Sequence, residues 1–333
     1  MTRPGRERRL RFALLLTSCL LFVLFAVLAC KAVPLSEAVR IRNALLFESA
    51  LPATFDWTPS SRPADFRVDR APADPVLLQI ATAAGVRADA ADWVNARAIS
   101  SYLTEHAAGK GEIDDGLFVV LRRIREGYGA CSDFTQAFLG VASAAGIFAR
   151  EWAFSFDGYG GDGHAAIEVF DRQAGRWVYL DVFNNFFVED VTTGRPLSAS
   201  EFRDVLNGNQ RSVAIRKAGA GRPGFVHENV LWRYYREGAD QWYLWWGNAQ
   251  LSREGGALKA RLRSIHPYLA RFYSTVVGDV PEIRAVESPT NASLRDRMVR
   301  LRSELHALFV ALIGTSLLLL WLLLRLRRMR RSE

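Results

Sequence analysis

Two uncharged apolar runs, one near each end of the chain, constrain its fold more than any other feature. Phe12 to Cys30 is built mainly of Leu, Phe, Val and Ala, and Ala307 to Leu324 ends in Leu317-Leu318-Leu319-Leu320-Trp321-Leu322-Leu323-Leu324. Each comes close to the ~20 apolar residues with which a helix crosses the ~30 Å hydrocarbon core of a bilayer. No internal stretch matches either one. The chain therefore divides into a tail at 1–11, a first membrane segment at 12–30, a long middle, a second membrane segment at 307–324 and a tail at 325–333.

Charge sets the orientation of this arrangement. Arg3, Arg6, Arg8, Arg9 and Arg11 against Glu7 leave +4 in the first tail, and Arg325, Arg327, Arg328, Arg330 and Arg331 against Glu333 leave +4 in the last. Together they account for the formal charge of +8, so the stretch between the tails is neutral overall. A basic chain would ordinarily invite a nucleic-acid reading; here the basicity is topological, and no nucleic acid is expected as a partner. Arg-rich flanks stay on the cytoplasmic side. Both termini are then cytoplasmic, and 31–306 lies outside the inner (cytoplasmic) membrane, in the periplasm or extracellular space. Two rival readings of the start stay open: a cleaved secretory signal, or a lipoprotein anchored at Cys30 of Val27-Leu28-Ala29-Cys30. All three leave the middle outside.

That placement makes the cysteines informative. Cys19 lies inside the first apolar run and Cys30 at its end, so the external part owns one thiol, Cys131. An oxidising compartment favours paired cysteines, and a single thiol there is a candidate reactive group. The five His are scattered with no second Cys near Cys131, which gives no metal-binding pattern and no sign of a cofactor.

Along the middle, 31–75 reads as an extended neck, rich in Pro between Pro52 and Pro75, with Leu35–Leu51 as a short helix before it. The segment 76–277 reads as the exported domain. Val76, Leu77, Ile80 and Ala84 recur at helical spacing up to Gly85. Val94, Ala98, Ile99 and Leu103 form a second stripe, and Leu117, Val120, Leu121 and Ile124 a third. Phe134, Phe138, Val141 and Ala145 then mark one face of a helix that starts at Cys131 and stops at Gly146. A helix N-terminus favours an anion, and so a thiolate, at Cys131. Asp133 is expected to serve that first turn.

Beyond Gly146 the period changes to two. Trp152, Phe154 and Phe156 alternate with smaller residues, and Gly158–Gly163 reads as a flexible turn. His164–Phe170 and Arg176–Phe183 read as a hairpin joined at 171–175. In ordinary register His164 and Asp181 meet at one end of it, although a one-residue slip would change which faces they share. Ser198 to Glu201 looks like a capping box. Phe225–Leu251 is dense in aromatics, which suit a core, a ligand surface or the membrane interface. His106, His227 and His266 are expected to be surface or core residues, His306 interfacial, and Glu168 a structural polar partner. Asn291-Ala292-Ser293 fits an N-glycosylation pattern. A juxtamembrane neck is expected at 278–306, with an amphipathic lead-in from Leu294 to Leu305.

Cys131, His164 and Asp181 supply a thiol, a proton shuttle and a group that orients the shuttle. The elements around them occur in a fixed order: Gly129-Ala130-Cys131, Ala145-Gly146-Ile147, Ala149-Arg150, His164-Ala165, Glu168-Val169, Trp177-Val178 and Leu180-Asp181. This stretch, Gly127 to Asn184, resembles the core of the transglutaminase-like superfamily. The resemblance departs at Ala166, where the family often has Trp, and at Val182, where it often has Pro. It implies an α+β, papain-like core, with the Cys helix packed on a small antiparallel sheet and catalytic Cys131, His164 and Asp181. It also implies an oxyanion held by the Cys131 N–H and by a second donor that the sequence does not identify.

The implied activity is a thiol-dependent amide acyl transfer, with hydrolysis favoured over cross-linking and no cofactor. In an exported domain the substrate would be an envelope protein, a peptide or a peptide-bearing polymer. The bilayer is the expected partner, and a membrane-protein partner stays open. The rival reading is a non-catalytic accessory module for envelope polymer assembly or export.

Overall fold

The computed structural model describes residues 3–33, 35–69, 73–113, 115–221, 224–251, 256–265, 270, 273–275 and 277–331. His266 lies outside the described residues. The chain opens with α1 (Arg3–Lys31), α2 (Leu35–Leu46) and β1 (Phe47–Ala50). Four helices follow: α3 (Pro75–Ala83), α4 (Asp92–Thr104), α5 (Leu117–Ile124) and α6 (Cys131–Ala144). Next come β2 (Ala149–Ser155), β3 (Gly163–Asp171), β4 (Arg176–Leu180), β5 (Phe186–Asp190) and β6 (Arg195–Pro196). The remainder is α7 (Ala199–Leu206), β7 (Val213–Lys217), α8 (Glu228–Glu237), β8 (Trp242–Trp245), α9 (Ala257–Ile265), β9 (Ile283–Val286) and α10 (Ala292–Arg331).

The architecture is α+β, but its main sheet is larger than a small antiparallel one and is mixed. Six strands run in the order β1-β9-β8-β2-β3-β4, all antiparallel to their neighbours except the parallel pair β1 and β9. A second sheet of order β6-β5-β7 follows β4 and is joined to its end by a bridge between Asp181 and Phe186. The two extra strands of the main sheet come from the segments read as necks. Phe47–Ala50 pairs with Ile283–Val286, and Phe55, Trp57 and Phe66 are buried in the same aromatic cluster as Trp152 and Trp177. The helix expected over Leu35–Leu51 ends at Leu46, and β1 takes its last turn; a four-residue strand beside Pro-rich turns is too short to show a period of two.

Helix α6 is central. One apolar stripe was expected, yet Phe134, Thr135 and Ala137 through Ala142 are all buried. The helix packs on α3, α4 and α5 and also on β2 and β3, so apolar neighbours cover most of it, while Ser132 and Ser143 stay exposed. Gly140 is required by this crowding, since a Cβ there would press on the Leu117 side chain at 2.8 Å. Along β3, Ile167 and Val169 belong to the helical cluster, whereas Ala166 and Phe170 belong to the aromatic one. The sheet thus separates two cores, which is what alternation of side chains across a strand produces when both faces are covered.

Helices α1 and α10 contain stretches long and apolar enough to cross a membrane, by length and composition. They pack against each other, and Lys31 Nζ lies 3.0 Å from Glu304 Oε2 where the pair meets the rest of the molecule. Arg302 donates to the Phe47 carbonyl at 2.6 Å, tying α10 to β1. Asn291 is fully buried and donates to the carbonyls of Asp240 and Val286, so the Asn291-Ala292-Ser293 pattern holds a structural amide and not an exposed acceptor.

Candidate active site

Cys131 is the first residue of α6. The turn before it depends on glycine: Gly127 (φ 92°) and Gly129 (φ 131°) adopt a left-handed backbone that disfavours side chains. Asp133 caps the first turn from within. Its Oδ2 accepts from the Ala130 N–H at 2.8 Å and from the Ile113 N–H at 3.0 Å, so it serves the helix start and also ties down the loop before α5.

His164 is the first side chain of β3. A Cβ at Gly163 would collide with the Phe154 carbonyl, so glycine lets β2 and β3 close up immediately before the imidazole. The turn that leads into it is held by α2, where Asn43 donates to the Tyr159 carbonyl at 2.8 Å and Ser36 bonds to Asp157. A segment expected to be a flexible turn is anchored because Tyr159 is completely buried.

The hairpin register decides how His164 meets Asp181. Ile167 pairs with Leu180 and Glu168 with Tyr179. Asp181, one residue past β4, therefore falls diagonally beside His164, and its backbone is fixed by a bridge to Phe186. His164 Nε2 lies 2.6 Å from Asp181 Oδ2, with both side chains buried. With Nε2 committed there, Nδ1 is the ring atom left for Cys131, which lines the same cavity and helps to raise the imidazole's pKa. The structure thus pairs His164 with Asp181 and places Cys131 on the wall of the same cavity as the imidazole.

Two further residues complete the carboxylate's surroundings. Asn184 donates from its backbone to Oδ1 at 2.8 Å and from Nδ2 to Oδ2 at 3.1 Å, and the Tyr235 hydroxyl of α8 also donates to Oδ2. Asn184 in turn donates to the Tyr235 oxygen at 2.9 Å. The turn is secured by Asn185 at φ 57°, a conformation Asn tolerates, whose amide bonds to Gly219 and Gly221. Sequence reasoning missed both partners. Asn184 carried a usable signal, because an Asn three residues after an Asp can close a local turn. Tyr235 was indistinguishable from its aromatic neighbours.

Electrostatics follow from this shell. Burial pushes the His164 value down, but the Asp181 charge and hydrogen bond, and then Cys131, outweigh it and raise it to about 10. Burial would raise Asp181, whereas His164, Tyr235 and the Asn184 N–H hold it below the ordinary 3.8. The two directions agree: a buried imidazolium and a carboxylate stabilise each other.

Glu168 stands apart from this group. It accepts from Arg150 and from the Trp152 indole, each at 2.7 Å, and from the Ala199 N–H at the start of α7, also at 2.7 Å. Arg150 in turn lies over the Trp177 ring at 3.8 Å. This buried hub joins β2, β3 and α7, and it is structural. Among the described residues no group of His, Cys, Asp and Glu is placed to hold a metal ion.

Cys131 and His164 open onto a cavity of ≈370 Å³ bounded by α6, β2, β8, the Gly160–Gly161 turn and α9. A partly exposed thiol beside a buried imidazole–carboxylate pair at a cavity is an arrangement suited to nucleophilic acyl transfer. Residues 80–182 match the model of the Transglutaminase-like superfamily, a stretch that begins in α3 and ends one residue past Asp181. This part of the chain is a transglutaminase-like domain. No curated protein and no solved structure matches the chain.

Proposed function

We propose that this is a membrane-anchored, extracytoplasmic thiol acyltransferase in which Cys131 is the nucleophile, His164 the proton carrier and Asp181 the orienting carboxylate. The observation that carries this reading is the position of His164, bonded through Nε2 to Asp181 at 2.6 Å and lining one cavity with Cys131 at the start of α6. The imidazolium and the start of α6 place positive charge around Sγ, which suits an attacking thiolate.

The chemistry is balanced within these groups. The reaction starts from a thiolate–imidazolium pair, with the Cys131 proton already on His164 Nδ1, and the Sγ thiolate attacks the carbonyl carbon of an amide. The negative charge on the carbonyl oxygen is met by the Cys131 N–H. As the C–N bond breaks, His164 returns the proton to the leaving amine, and a thioester on Cys131 remains. Water, or a second amine, then attacks the thioester after losing its proton to His164, and the thiol is restored. Hydrolysis is favoured over cross-linking, and the substrate class is an envelope protein or a peptide-bearing polymer. The Arg-rich ends of α1 and α10 support cytoplasmic tails and an exported domain.

The test is labelling of Cys131 in the full chain by iodoacetamide at neutral pH. The acyl-transfer reading requires rapid labelling that falls at least roughly tenfold in His164→Ala, the scale of general-base assistance. Equal, slow labelling of both proteins would instead support a non-catalytic accessory module for envelope polymer assembly.

A further inference from the structure

The cavity next to Cys131 extends to two neutral side chains that the reaction does not use. Gln250, just after β8, lines it and is 1 % exposed, and neither its Oε1 nor its Nε2 has a partner among the described residues. Ser274 lines the same cavity, is 4 % exposed, and its Oγ likewise has no partner among the described residues. A buried carboxamide with neither end bonded is costly, and such groups in native proteins call for an explanation.

The position of Gln250 is held firmly. Its N–H and that of Leu251 both donate to Asp69 Oδ2, at 2.6 and 2.9 Å. The neighbouring Asn248 donates to the Ala149 carbonyl at 2.7 Å, at the first residue of β2. The carboxamide is thus presented from a fixed backbone and not from a loose loop.

The charges on the same walls are already engaged. Arg263 lies 2.8 Å from Asp115 and Lys259 3.9 Å from Asp279. Asp133 is occupied by two backbone N–H groups, and Glu112 and Glu151 are engaged with neighbours as well. What the cavity leaves open is therefore a neutral donor–acceptor pair plus a hydroxyl. A charged ligand would find its counter-charges spent. A neutral amide, with one C=O and one N–H, matches a carboxamide at both ends.

From this we infer that Gln250 and Ser274 form a recognition subsite for an uncharged amide of the substrate, separate from the bond attacked at Cys131. The subsite selects chains that carry peptide amides over polymers that present only hydroxyls or charges. It deepens, and rests on, the acyl-transfer reading above by naming what the groove grips while Cys131 reacts.

The experiment uses the full chain in detergent with Cys131→Ser, so that binding is read without reaction. N-Acetylglycylglycinamide, which carries amides and no charge, is titrated by calorimetry or saturation-transfer NMR. Binding is expected, weakened about tenfold or more by Gln250→Leu and by the isosteric Gln250→Glu, and less by Ser274→Ala, the scale of lost hydrogen bonds. Should Gln250→Leu fail to fold, Gln250→Glu decides, because it keeps the side-chain shape. No binding to Cys131→Ser, or equal binding with and without Gln250, overturns the subsite. Iodoacetamide labelling of Cys131 in the wild-type chain is run in parallel. Its failure with intact Gln250-dependent binding would strike the acyl-transfer reading and leave the subsite standing.

Discussion

The Tyr235 hydroxyl donates to Oδ2 of Asp181, the same oxygen that lies 2.6 Å from His164 Nε2. A residue of α8, more than fifty positions beyond the aspartate, thus shares its carboxylate with the imidazole. Tyr235→Phe removes one donor from a buried anion, and the stability loss is expected to be about 1.5–3 kcal/mol, as for hydrogen bonds to charged groups. Asn184 still holds both carboxylate oxygens in that variant. Iodoacetamide labelling of Cys131 should therefore fall less in Tyr235→Phe than in Asp181→Asn. A thermal melt and a labelling rate measured on both variants check this, and equal labelling losses would contradict it.

The His164–Asp181 pair makes a pH prediction with a definite sign. The folded value of His164, about 10, lies above the ordinary 6.5. Its contribution to stability is complete below 6.5 and is lost as pH rises through about 10. Asp181 is held below 3.8, so its contribution is present above 3.8 and is lost as pH falls through the lower folded value. Stability from the pair is therefore greatest on the mildly acidic side of neutrality. The His164 ring signals in NMR should stay those of the imidazolium across about pH 5 to 8, where free histidine titrates. In Asp181→Asn the titration should move down, and an unchanged midpoint would refute the pairing.

Arg150 and Glu168 form a buried ion pair at 2.7 Å with almost no exposure of either side chain. Removing one partner strands the other, and either Arg150→Met or Glu168→Leu is expected to cost about 3–5 kcal/mol. The double variant should be less destabilised than the sum of the two, because neither charge is left alone. Melting of the single and double variants closes this cycle. Strict additivity would mean that the pair is not coupled.

Gly163 tests the geometry that delivers His164. A methyl group there would meet the Phe154 carbonyl and the Ser155 backbone, so β2 and β3 must separate at the site. Gly163→Ala should slow Cys131 labelling by roughly tenfold or more, since small misplacements of a catalytic group are costly. Gly175→Ala is the useful contrast, because its Cβ would meet nothing within 4 Å although its φ of +64° strains the backbone. It should lower stability slightly and leave labelling near wild type. Comparable labelling losses in both variants would indicate general unfolding and not site geometry.

The orientation of the chain is open to a direct test. An alkaline phosphatase reporter, active only when exported, should be active when fused after Thr290 and inactive when fused after Glu333. Arg-rich tails on the cytoplasmic side require that difference. Activity at both fusions would remove the exported placement of the domain.

Local order was legible in the sequence because short-range forces write it there. Two uncharged runs of membrane length, the glycines before Cys131, the helix stop at Gly146 and the Asp171–Gly175 hairpin are all set by neighbours within a few residues. The hairpin alone already put His164 and Asp181 at one end. The contributions of Tyr235, of Gln250 and of strands β1 and β9 were decided only by tertiary structure. Nothing near Phe47 or Ile283 announces a parallel pairing between segments more than two hundred residues apart, and nothing in the run from Trp232 to Trp246 separates the one tyrosine that reaches Asp181 from those that pack. Such choices depend on which buried polar group finds a partner in the folded chain, a long-range condition that local pattern does not encode.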